Sequence, residues 1–136
     1  MSFLSRDEIT AIETGLATGE EGHVWKAAVR LGEFVEIAPN EVWSLVTKWA
    51  DSENDEVRMA LATCVLEHLL EHHFDRYFPL VEELALSNSR FADTFSSCWQ
   101  FGQSDAPENA ARMDSLKDRI RKRHGAAEQA LVAGGR

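Results

Sequence analysis

Residues 43–70, WSLVTKWADSENDEVRMALATCVLEHLL, read as two helices joined by a polar turn. Before the turn, Val42, Leu45, Val46 and Trp49 recur at the three–four spacing that lines one helix face. After it, Val57, Ala60, Leu61, Cys64 and Val65 do the same. ADSEND interrupts both patterns, so the second helix is expected from about residue 55 to about 73.

The same period extends outward in both directions. Ser5 and Glu8 form a capping box that opens a first helix at about 6–17, stopping near Thr18 and Gly19. A second helix is expected over about 21–36, ended by Pro39, with Asn40 capping the third. A fifth, at about 75–87, buries Phe78, Val81, Leu84 and Ala85. A sixth, at about 90–101, sets Phe91, Phe95 and Trp99 on one stripe and stops at Gly102. Pro107 opens a seventh over 107–124, which Gly125 ends, leaving 125–136 as a flexible tail. No segment alternates as a strand does, so the expected fold class is all-α with about seven helices.

The helices also repeat. HVWKAAVRLG from His23, EVRMALATCV from Glu56 and RFADTFSSCW from Arg90 align, with Val24, Val57 and Phe91 in register and Leu31, Cys64 and Cys98 seven positions on. Three helix pairs, 6–36, 41–73 and 75–102, with the C-terminal helix then form one domain over 1–124. Stacked pairs bury a continuous core that no single pair buries alone. The stretch 41–70 resembles a HEAT repeat, with Val57, Arg58, Ala60 and Ala62 in the expected places. The resemblance is weaker over 6–36 and only periodic over 75–102, and Trp25 and Ala92 stand where Arg58 does. It implies a right-handed stack whose second helices line a concave, partner-binding face.

Charge is unevenly spread along the chain. Residues 1–111 carry 20 acids against 7 Lys and Arg, a net of −13, and 112–136 carry 7 against 3, a net of +4, for −9 in all. An acidic body disfavours nucleic acid, whose binding draws on clustered cations. Arg112, Arg119, Arg121, Lys122 and Arg123 are interspersed with Asp114 and Asp118, as on a solvated capping helix. No apolar run is long enough to cross a bilayer, no signal peptide is readable, and two cysteines fit a reducing compartment, so the expected location is cytoplasmic.

Cys64, His68 and His72 stand four apart on the fourth helix, as weak metal-ligand candidates. The stretch is not H-E-x-x-H, and Cys64 holds the repeat position of Leu31 and Cys98, so a structural role is expected and no cofactor. Neither a glycine-rich phosphate loop nor a nucleophile motif is present, and the aromatic stripe reads as core. The function expected is therefore non-catalytic: a small acidic scaffold that binds a basic protein through its second helices. The contact positions expected to face solvent are Lys26, Arg30 and Glu33 in the first unit and Thr63, Glu67 and Glu71 in the second. The alternatives are a nucleic-acid-binding protein like the HEAT-like alkylation-repair glycosylases, and a metalloenzyme using His68 and His72. The uncovered ends of a stack leave a homodimer open.

Overall fold

Ser5 opens the first helix as the sequence predicts, its hydroxyl accepting the Glu8 N–H at 3.0 Å. The other half of the capping box is replaced, because the Glu8 carboxylate turns to Arg30 on the next helix. The computed structural model describes residues 3–134. Its order is α1 (Arg6–Ala17), α2 (Glu21–Gly32), α3 (Pro39–Trp49), α4 (55–72), α5 (Phe74–Ser87), α6 (Ser89–Ser96), a 3-10 turn (Gly102–Asp105) and α7 (Pro107–Gly134). Among the described residues there is no strand, and the fold is all-α with seven helices.

Several boundaries differ from the expected ones. α2 ends at Gly32, and turns fill the interval to α3. Pro39 is the first residue of α3, where its missing N–H leaves no bond unmade. Asn40 therefore does not cap α3. Its side chain instead accepts the Tyr77 hydroxyl at 2.5 Å. α7 runs past Gly125 to Gly134 without a break, so the expected stop at 125 is not taken. Residues 135 and 136 of the expected tail lie outside the described residues.

The main departure lies within α4, which changes pitch twice. Asp55–Leu61 is α-helical, Ala62–Leu66 is a π-helical turn, and Glu67–His72 is α-helical again. A π turn takes more residues per revolution, so every later side chain lags its expected direction. Val65 is buried as expected, but Cys64, expected in the core beside it, is only half-buried, and Ala62, Leu66, Leu69 and Leu70 are buried with Val65. Gly32 accommodates the turn, since a Cβ added there would lie 2.3 Å from the Cys64 carbonyl oxygen.

Packing runs through the helices in a consistent order. α1 lies on α2, α2 on the first two segments of α4, α4 on α6, α5 on α6, and α7 on α5 and α6. One core connects them, from Ile12 and Leu16 through Leu31, Leu61 and Phe74 to Phe91, Met113 and Leu116. α1 and α2 approach closely because Gly15 faces Ala27; a Cβ on Gly15 would be 2.9 Å from the Ala27 Cβ. Arg112 is exposed, as expected of a solvated face, and also lays its guanidinium 4.7 Å from the Phe78 ring centre and 5.3 Å from that of Phe74. No helix among the described residues is long and apolar enough to cross a membrane.

Candidate functional site

Of the expected contact positions, Lys26, Arg30, Glu33 and Thr63 border grooves beside α2 and α4 and Glu71 pairs with His68 and His72, and one position departs from this placement. Lys26, Arg30 and Glu33 border an apolar groove of about 970 Å³ between α1 and α2. Arg30 is already engaged there, its Nε donating to Glu8 at 2.7 Å, its guanidinium also paired with Glu33 and 5.0 Å from the Phe34 ring centre. Thr63 sits where two further grooves meet. One, of about 440 Å³, lies between α2 and α4 and reaches Val29, Glu33 and Glu36. The other, of about 570 Å³, runs from Met59 to Trp99 and Lys117.

Glu67 is the exception, because the π turn rotates it inward. It is 6% exposed, and its Oε2 accepts the Trp99 N–H at 2.9 Å. Burial pushes its carboxyl above the ordinary 4.5, with the Trp99 N–H and nearby His68 pulling the other way and Glu71 adding to the rise. Glu67 is thus a positioning residue for the loop after α6 rather than a contact residue.

That loop also overturns the expected aromatic stripe. α6 stops at Ser96, five residues short of the expected end, as Ser96 and Ser97 turn their hydroxyls onto the Ala92 and Asp93 carbonyls. Phe91 and Phe95 stay in the core, but Trp99 leaves the helix and is 70% exposed. Lys117 fixes the loop from the other side, donating to the Cys98 carbonyl at 3.2 Å. Phe101, 40% exposed, stacks on His68 with ring centres 6.2 Å apart.

The three metal-ligand candidates do line one groove, between α2 and the second half of α4. Their nitrogens face carboxylates: His68 Nδ1 is 2.7 Å from Glu71 Oε1, His72 Nε2 is 3.4 Å from the same oxygen, and His72 Nδ1 is 3.5 Å from Glu36. Among the described residues no group of three or more His, Cys, Asp or Glu is arranged to hold a metal ion. Cys64, expected in the core, is only half-buried because of the π turn, while Cys98 is fully buried. Burial raises both thiols above the ordinary value of 9.0, which keeps them protonated and weak as nucleophiles.

Val29, Met59, Trp99 and Phe101 are the exposed apolar side chains of this face, and none was singled out in the sequence as a contact. Met59 was within reach of the repeat register, since it stands 33 residues after Lys26, the interval that also relates Arg30 to Thr63. For Trp99 no such signal exists, because its position depends on where α6 stops.

A family model described as a family of unknown function (DUF6869) matches residues 15–121, and the chain belongs to that family. Comparison with curated proteins and with solved structures gives no significant match.

Proposed function

We propose that this member of the family is a non-catalytic protein-interaction module, a short helical-repeat stack that binds a partner across α2, α4 and the loop after α6. The observation that carries the reading is the row of exposed apolar side chains on that layer: Val29 at 53%, Met59 at 45% and Trp99 at 70%. Aromatic anchors surrounded by polar groups are where binding energy concentrates in protein interfaces. The backbone that carries Trp99 is held by a buried carboxylate on its N–H and by a lysine on the Cys98 carbonyl, so the loop itself needs little ordering on binding.

Equivalent contacts between successive units support the repeat reading. Asn54 caps α4 through its Oδ1 and reaches back with Nδ2 to Gly19 O at 3.4 Å. Asn88, 34 residues on, caps α6 and reaches back to Asp51 at 3.2 Å. Trp25 Nε1 donates to Glu56 on α4 at 2.9 Å, and Arg58 Nε donates to Asp93 on α6 at 3.2 Å. The aligned positions 25 and 58 thus both bond a carboxylate on the next second helix, though one is a tryptophan and the other an arginine.

Photo-cross-linking in an extract of the source organism tests the proposal. A cross-linking amino acid at position 63 is expected to capture a defined protein, and one at position 83 on α5 to capture none. Trp99→Ala should abolish the adduct at 63 while leaving the melting temperature unchanged. No adduct at 63, or equal adducts at 63 and 83, overturns the reading.

A further inference from the structure

We infer that the occupant of this face is a basic amphipathic helix, its apolar stripe on Val29, Met59 and Trp99 and its cations between Glu36 and Glu71; the inference rests on the interaction reading above. The seat itself restricts what fits. The backbone groups of α2 and α4 are spent on their own helical bonds, and in the loop that carries Trp99 the Trp99 N–H and the Cys98 carbonyl are taken by Glu67 and Lys117. An extended peptide therefore finds no row of free donors and acceptors to pair with, as it does at a sheet edge. A helix brings its backbone already satisfied and needs only side-chain contacts.

Charge decides the sign of the occupant. Glu8, Glu13, Glu82 and Asp93 are each met by a Lys or Arg of the chain. Glu36 and Glu71, beside the apolar row, are different. Among the described residues their ion-pair neighbours are the imidazoles of His68 and His72, not a Lys or Arg. Glu36 is the more open, with a side chain 72% exposed, while Glu71 is 26% exposed and lies against Gly102. Glu36 lines the groove between α2 and α4, and Glu71 stands beside it across His72, so negative potential accumulates at this end of the seat. Of the cations near the face, Arg30 and Lys117 are turned to Glu8 and Glu33 and to the Cys98 carbonyl, and Lys26 lines the α1–α2 groove rather than the one that holds Glu36. An incoming ammonium or guanidinium thus meets carboxylates that the chain has not neutralised with its own cations, which favours that partner over an acidic one.

The probes are a fluorescent leucine–lysine amphipathic helix and its leucine–glutamate twin. The lysine helix is expected to bind the full chain and the glutamate helix not to bind. Glu36→Gln with Glu71→Gln should weaken the lysine helix by about tenfold, whereas Glu20→Gln with Glu21→Gln, equal in net charge, should leave it unchanged. Met59→Ser should weaken binding further. If the double variant at 36 and 71 melts early, Glu36→Gln alone carries the test, since its side chain is exposed. Equal binding of both helices, equal loss from the two glutamine pairs, or no binding of the lysine helix each overturns the inference. An adduct at position 63 that persists in any of those cases leaves the interaction face standing with a different occupant.

Discussion

Glu13 and Glu67 respond to pH in opposite directions. Glu13 accepts hydrogen bonds from Lys48 and, at 2.9 Å, from Trp49 Nε1, and these hold its carboxyl below the ordinary 4.5. Its ionised form is favoured by folding, so it contributes stability above pH 4.5 that is lost as pH falls through the lowered folded value. Glu67 is the reverse. Burial raises it, so between 4.5 and its folded value the native chain binds more protons than the unfolded one. Its destabilisation is absent below 4.5 and grows as pH rises. Denaturant titrations from acid to neutral pH check both. Glu13→Gln should remove part of the acid-side loss of stability. Glu67→Gln, whose amide oxygen still accepts the Trp99 N–H, should gain on the parent as pH rises above 4.5.

At the level of elements, the π turn in α4 decides which residues form the face. The three–four pattern over 57–65 is correctly read as helix, and Val57, Ala60 and Leu61 are buried as that pattern requires. Beyond Leu61, Val65 stays buried as the pattern requires, whereas the extra residue in the turn leaves Cys64 on the groove with His68 and His72 and turns Glu67 inward. Gly32 of α2 supplies the space. Replacing a helical glycine by alanine ordinarily gains about 0.5–1 kcal/mol. Here the added methyl meets a backbone carbonyl, so Gly32→Ala is expected to destabilise by about 1–3 kcal/mol, measured by chemical denaturation. A gain would show that the turn is not held by this contact.

Across the whole molecule, one core ties the C-terminal helix to the others. Met113 and Leu116 of α7 have no exposure and belong to the cluster that contains Leu61 of α4. Gln103 reinforces the join before α7, accepting the Phe74 N–H at 2.9 Å and donating to the His72 carbonyl at 2.8 Å. Leu116→Ala and Leu61→Ala should therefore each cost about 2–5 kcal/mol. Near- and far-ultraviolet circular dichroism should show a single coincident transition for both. An early, partial transition confined to the Leu116 variant would mean that α7 melts on its own.

What the sequence by itself determined was periodic and local. The three–four spacing fixes the helices of 6–17, 41–49 and 55–61, and the capping side chains of Ser5, Asn54 and Asn88 act on backbone N–H groups two or three residues away. The same spacing left Lys26, Arg30, Glu33 and Thr63 outside the core, because the apolar stripe of a helix sets the direction of its other side chains. The tertiary structure alone decided the remainder. Whether α4 winds as α or π depends on Gly32 lying against Cys64, thirty-two residues away in the chain. Whether Trp99 is core or surface depends on Glu67 and Lys117 holding the loop after α6. Burial of Glu67 follows from both. Those outcomes are set by contacts between distant segments, and a one-residue change of pitch redirects every side chain after it, which no window of sequence records.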